Sequence, residues 1–193
     1  ASFTERPLPV AALAGAVRFL LIGRLLGDKG VREYVQAARI LKRSHPQVQC
    51  AIVGWIDSNP NAITQNELEG WVADGSIEFL GRLDDVRAAL ESCSVYVLPS
   101  YREGTPRSVL EAMAIGRAIV TTDAPGCRET VVDGDNGYLV PVQDAVALAK
   151  AMARFIDEPT LQTSMGRRSR QMAEVKYDVH MVNAVMMKGM GVE

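Results

Sequence analysis

Apolar residues in this chain fall into short runs, each closed by a glycine or a proline. Val17–Ile22 ends at Gly23, Val48–Val53 at Gly54, Ile77–Leu80 at Gly81 and Val95–Leu98 at Pro99. Ala118–Thr121 and Gly137–Val140 extend the series. Unbroken apolar runs, rather than alternation, predict strands covered on both faces, as in a parallel sheet. Between the runs the apolar spacing becomes helical. Gly30–Ser44 places Val31, Tyr34, Val35, Ala38 and Leu41 on one side and is closed by Pro46. Further helices are expected at Glu67–Asp74, Val86–Ser92, Pro106–Ile115, Ala145–Ile156 and Thr160–Val175, with a helical turn at Cys127–Val132. Thr105 is the expected N-cap of the Pro106–Ile115 helix, with Pro106 at its first position, and Asp144 caps Ala145–Ile156. A last, methionine-rich helix is expected over Tyr177–Met190.

Strand and helix alternating with short turns predict an α/β, Rossmann-like domain: a parallel sheet of about six strands flanked by helices. Such sheets bind ligands beyond the C-terminal ends of their strands. The segments after Ile22, Val53, Leu80, Leu98 and Thr121 are therefore where chemistry is expected. The opening 16 residues, with Pro7 and Pro9, read as a linker or tail, residues 17–176 as the domain and 177–193 as a C-terminal helix. The missing initiator Met is taken as the mark of a piece of a longer chain.

Charge narrows the ligand. With 21 Lys and Arg against 23 Asp and Glu in 193 residues, the chain is not a basic nucleic-acid binder, although a local cationic pocket remains open to a phosphorylated molecule. Cys50, Cys93 and Cys127 are far apart, with neither CxxC spacing nor a nearby His, which speaks against a metal site and a disulfide framework and for a reducing compartment. Val17–Ile22 is too short to span a bilayer.

Two segments carry candidate chemistry. Gly23-Arg24-Leu25-Leu26-Gly27-Asp28-Lys29-Gly30 sets two cations and several glycines after the first strand. Cations beside a helix start suit phosphate, and the plainer alternative is a solvent-facing turn. The glycine spacing is not GxGxxG, and no Ser or Thr follows the Lys, so dinucleotide and Walker-type sites are disfavoured. Glu103-Gly104-Thr105-Pro106-Arg107-Ser108-Val109-Leu110-Glu111 follows the fourth strand and opens a helix. Two carboxylates around helix N-terminal amides suit a ligand with phosphates and hydroxyls; alternatively Arg107 and Glu111 form an i,i+4 surface pair. Ala124-Pro125-Gly126 is a turn that either admits a ligand or only reverses the chain. Asp133-Gly134-Asp135-Asn136-Gly137 reads as a turn and not a calcium loop. His45 and His180 stand outside any acidic or Ser/Cys constellation, and neither is assigned a catalytic role.

In this order the segments resemble the C-terminal domain of family 4 glycosyltransferases, which have the GT-B fold. The resemblance rests on Gly23-Arg24-Leu25 with Lys29-Gly30, Ile52-Val53-Gly54, Phe79-Leu80-Gly81 with Asp85-Val86, and Val97-Leu98-Pro99-Ser100. It continues through the E-x7-E segment Glu103 to Glu111, Ala112-Met113-Ala114 and Gly116, Glu129-Thr130-Val131, Asp133-Gly134, and Asn136 to Pro141. It implies a nucleotide-sugar donor domain. Gly23, Arg24 and Lys29 would hold the donor diphosphate, with Arg24 and Lys29 stabilising it as leaving group. Arg82 and Leu83 would meet the base. Glu103 would bind hydroxyls of the donor sugar, the backbone from Gly104 through Thr105, Pro106 and Arg107 to Ser108 would meet sugar and phosphate, and Glu111 would hold the ribose.

Glu103, Lys29 and Arg24 are thus the expected catalytic residues, with no metal. The implied activity is retaining transfer of a hexose-type sugar from a nucleoside diphosphate, UDP ahead of GDP or ADP, to a glycan or lipid-linked acceptor. Gly104-Thr105-Pro106-Arg107-Ser108 departs from the common Gly-Phe-Gly and is similar to bacterial polysaccharide-type transferases. The acceptor would be bound by an N-terminal domain with no counterpart in this chain, so the chain alone is expected to be inactive. The implied location is cytoplasmic, with peripheral association at the inner membrane face for the full enzyme. The alternative is a non-catalytic nucleotide-binding module of the same fold.

Overall fold

The computed structural model describes residues 4–9 and 16–177. Six strands form one wholly parallel sheet in the order β3-β2-β1-β4-β5-β6. They are β1 (Arg18–Leu25), β2 (Gln49–Ile56), β3 (Glu78–Phe79), β4 (Val95–Leu98), β5 (Ala118–Thr122) and β6 (Gly137–Val140). The helices are α1 (Val31–Ser44), α2 (Gln65–Ala73), α3 (Arg87–Ser92), α4 (Arg107–Ala114), α5 (Ala145–Asp157) and α6 (Thr160–Tyr177). Leu21, Ile52, Val97 and Val120 meet α1, α2 and α5 on one face of the sheet. Leu20, Val53, Tyr96 and Ile119 meet α3 and α4 on the other. Long α6 serves both cores, with Met165 in the first and Ala173 in the second. Both sheet faces are covered, as the unbroken apolar runs require.

The two longest strands outrun the glycines expected to stop them. Gly23 pairs with Gly54, Arg24 with Trp55 and Leu25 with Ile56 before the β1–β2 ladder ends. Pairing along a neighbouring strand overrides the local preference of glycine. Arg24 consequently lies on β1 itself and not in the following turn. The start of α4 also differs from expectation. Pro106, at φ −72° and ψ 99°, is the N-cap, Arg107 is the first helical residue, and no side chain caps the first turn. α2 starts earlier than its apolar spacing indicates because Thr64 and Glu67 form a reciprocal capping box. α6 runs to Tyr177, the last described residue, and the rest of the expected Tyr177–Met190 helix lies outside the described residues.

Residues 4–9 are bound to the domain. The Arg6 amide donates to the Ile115 carbonyl (3.1 Å), and the Arg6 guanidinium pairs with Glu91 (3.0 Å). Arg117, wholly buried, donates from Nη1 to the Arg6 carbonyl (2.8 Å) and from Nη2 to that of Pro7 (3.0 Å). This contact lies at the N-terminal end of β5, opposite the end where the candidate residues gather.

Candidate functional site

The strand order reverses between β1 and β4, since β1 has β2 on one side and β4 on the other. That switch point opens a crevice beyond the strand C-termini. The loops leaving these two strands carry the two strongest sequence candidates. After β1 comes a 3₁₀ turn, Gly27–Lys29, and after β4 the segment from Pro99 to Glu103. Lys29 Nζ donates to Glu103 Oε1 at 2.6 Å across 74 residues of sequence. Both side chains are mostly buried, at 17% and 14% exposed.

Tight packing sets the pair. Gly30, at φ +68°, touches Pro99 so closely that a Cβ would lie 2.1 Å from the Pro99 carbonyl oxygen. Only glycine allows that approach and that backbone, and it seats Lys29 beside the β4 loop. Gly126, at φ +81°, does the same for Glu103, because a Cβ there would lie 2.1 Å from its carbonyl oxygen. The Glu103 amide donates to the Pro125 carbonyl (2.9 Å). The Ala124-Pro125-Gly126 turn is therefore the bed on which the Glu103 backbone rests. Tyr101 adds a third stitch, its amide donating to the Asp28 carbonyl (2.8 Å) and its hydroxyl to Glu33 (2.7 Å). Burial and the Glu33 carboxylate push the Tyr101 hydroxyl up to about 12.

Ser100 completes the setting. It is fully buried, and its hydroxyl donates to Glu103 Oε1 at 2.7 Å. Lys29 and Ser100 thus converge on one oxygen, and Oε2 accepts from no donor among the described residues. Lys29 in turn uses one of its three N–H groups.

α4 begins next to this pair, with no side-chain cap on its first turn. Its opening amides are free to meet an anion or a polar oxygen. Gly104, Thr105 and Arg107 are exposed there, Pro106 is buried and Ser108 is half-buried. The Tyr96 hydroxyl lies 2.7 Å from Ser108 Oγ and 3.1 Å from the Ile22 carbonyl oxygen, which ties the first turn of α4 to the end of β1. Glu111, one side of its helix along, accepts from Arg107 Nε at 3.1 Å, so the i,i+4 pair does form.

The remaining expected residues sit nearer β2 and β3. Arg24 is half-exposed and directs Nη1 to Asp57 (3.3 Å); it makes no bond to Lys29 or Glu103. The Arg82 guanidinium stacks over the Trp55 ring at 4.9 Å, and Leu83 is exposed. Arg82 lines a cavity of about 520 Å³ walled by Trp55, Ile56, Leu68, Val72 and Phe79; Leu83 is not part of its wall. Cys127 is fully buried, and burial raises its pKa. Asp133-Gly134-Asp135-Asn136-Gly137 is a turn, with Asp133 accepting from the Leu139 amide and Asn136 from that of Val132. No group of three His, Cys, Asp or Glu side chains is arranged to hold a metal among the described residues. No described helix is long and apolar enough to cross a membrane. Sequence reading assigned no role to Ser100, Tyr101, Tyr96 or Arg117. Ser100 alone had a signal, as the polar residue ending Val97-Leu98-Pro99-Ser100.

Comparison with known proteins is consistent with this geometry. The family model described as glycosyl transferases group 1 matches residues 13–172. An N,N'-diacetylbacillosaminyl-diphospho-undecaprenol alpha-1,3-N-acetylgalactosaminyltransferase of Campylobacter jejuni is 32% identical over 163 residues, covering 84% of this chain and 41% of that protein. The "putative colanic acid biosynthesis glycosyltransferase WcaL" of Escherichia coli is 30% identical over 187 residues, covering 92% and 45%. The chain thus spans less than half the length of these relatives. Among solved structures, Anabaena Alr3699/HepE in complex with UDP superposes with a TM-score of 0.82 at 22% identity, over 95% of this chain and 51% of that one. The C-terminal domain of a glycosyl transferase group 1 protein, LpcC, from Francisella tularensis superposes with 0.77 at 22% identity, over 92% and 96%. The shared architecture is the Rossmann-like half of the GT-B fold.

Proposed function

This chain belongs to the group 1 glycosyltransferases, and from that premise we propose that it is the C-terminal, donor-binding domain of a retaining family 4 enzyme using a nucleoside diphosphate sugar. The observation that carries the reading is the Lys29–Glu103 pair at the β1–β4 switch point, partly buried yet with hydrogen-bonding capacity left on both partners. A sugar hydroxyl donates to Glu103 Oε2. The diphosphate takes the free N–H groups of Lys29 and the uncapped amides at the start of α4. Arg24, held only by a half-exposed contact with Asp57, turns to the same diphosphate. Cations and amides aimed where negative charge grows on the departing diphosphate lower the barrier to its departure. Glu111 holds the ribose through the oxygen that Arg107 leaves open, and Arg82 with Leu83 meets the base.

The donor is a UDP-hexose, and no metal is required because Lys29 and Arg24 supply the positive charge. A neighbour whose structure contains UDP supports the choice of base. The acceptor is a glycan or a lipid-linked glycan, gripped by an N-terminal domain outside this chain and brought to the inner face of a membrane. An undecaprenol-linked substrate in the name of one relative supports that acceptor class. Without the acceptor domain the chain binds donor but does not turn it over.

Titration calorimetry of UDP, GDP, ADP and NAD into the chain, with and without chelator, tests the reading. UDP is expected to bind best and chelator to change nothing. A preference for NAD, or binding lost with chelator, overturns it.

A further inference from the structure

We infer that Ser100 is a positioning residue, which turns the Glu103 carboxylate so that Oε2 faces the donor sugar. This rests on the donor-binding reading and deepens it. A carboxylate held at one point rotates about its last bond. Glu103 Oε1 is instead held by two donors, Lys29 Nζ at 2.6 Å and Ser100 Oγ at 2.7 Å. Lys29 is the donor that a bound diphosphate draws away, since the same ammonium serves the phosphate oxygens. Ser100 has no such competitor. It is fully buried, so neither water nor ligand reaches its hydroxyl. During donor binding it is the contact that stays, and it keeps Oε1 occupied while Oε2 receives the sugar hydroxyl.

The surroundings brace Ser100 from behind. Its carbonyl accepts from the Thr122 hydroxyl at the end of β5 and from the Cys127 thiol (3.9 Å). One residue earlier on β5, Thr121 Oγ1 donates to the Leu98 carbonyl (2.7 Å). The end of β4 is thus clamped to β5 by two buried hydroxyls, which gives the Ser100 side chain a fixed origin. A hydroxyl with only a packing role would not need its backbone fastened at the same point as its side chain.

The test compares UDP, UDP-glucose and UDP-N-acetylgalactosamine by titration calorimetry on the unchanged chain, Ser100→Ala and Ser100→Thr, with melting temperatures for each. The unchanged chain is expected to bind at least one of the two sugar nucleotides more tightly than UDP. Ser100→Ala should lose most of that advantage, roughly tenfold for a bond to a charged group, while its affinity for UDP stays within about twofold. Ser100→Thr keeps the hydroxyl and should restore the advantage. Should Ser100→Ala unfold, Ser100→Cys, slightly larger and only a weak donor, carries the same expectation. A Ser100→Ala chain that keeps the full sugar advantage overturns the proposal alone, as does one that loses UDP and sugar nucleotide equally. An unchanged chain that binds no nucleotide overturns the donor-binding reading, and this inference falls with it.

Discussion

Two buried cations sit at opposite ends of the sheet, and they are used differently. Arg117 has all five guanidinium N–H groups taken by backbone carbonyls, those of Leu90, Arg6, Ile115, Pro7 and Glu91. Among the described residues no carboxylate forms an ion pair with it, and burial pulls its pKa down. Lys29, across the length of a strand, spends one N–H on a carboxylate that itself keeps a free oxygen. Arg117 is saturated and closed to solvent, whereas Lys29 and Glu103 are partnered but unfinished. A buried charge whose capacity is used up by its own backbone is a structural part. One that is held in place with capacity to spare is what the proposed donor site uses.

The largest expected effect is at the saturated end. Arg117→Ala strands several carbonyls and frees residues 4–9, and it should cost about 3–5 kcal/mol in chemical denaturation. Nucleotide affinity of the folded fraction should not change. A loss of affinity with intact stability would break the comparison at once. The crossed result is expected at the other end. In the complete enzyme that the proposal implies, Glu103→Ala and Lys29→Ala should lower turnover roughly 10²–10³-fold in steady-state kinetics, proportionally far more than they lower the melting temperature. Glu111→Ala should chiefly raise the donor KM, because ribose contacts are alike in ground and transition states.

Glu67 sharpens the rule, because it is a carboxylate with both oxygens used. Arg32 and the Thr64 cap hold it down to about 2 from an ordinary 4.5. The folded pKa is the lower one, so the stabilisation is complete above pH 4.5 and is lost as pH falls through about 2. Glu67→Gln should therefore destabilise near neutral pH, and its urea midpoint should converge on that of the unchanged chain as pH drops across this window. Nucleotide binding should stay unaltered. The smallest effect is at Arg107, which is 89% exposed. Arg107→Ala should cost no more than about 0.5 kcal/mol and serves as the baseline for the rest.

Much of this was legible in the chain. The apolar runs located all six strands, and β4, which ends before Pro99, and β6, which starts at Gly137, fell on their expected residues. Asp144 caps α5 as expected, accepting from the Ala147 amide. The errors share a cause. β1 and β2 continue past Gly23 and Gly54 because each supplies the other's hydrogen bonds, and that partnership cannot be read from either segment alone. Thr105 looked like a cap, but the extended ψ of Pro106 moves the helix start one residue on. Arg117 carried no signal in the sequence, because four of its five acceptors arrive from residues 6 and 7 and from the end of α3.

By itself the sequence determined the layered α/β architecture and the residues that carry charge at the strand ends, because periodicity and turn chemistry are local. What only the tertiary structure decided is which of those charges meet. Strand order, with β1 between β2 and β4, carries Lys29 across 74 residues to Glu103. The close approaches at Gly30 and Gly126 then fix the distance, and the buried hydroxyl of Ser100 leaves one carboxylate oxygen open. These are long-range contacts, and their geometry comes from packing both helical layers on a single sheet rather than from any pattern along the chain.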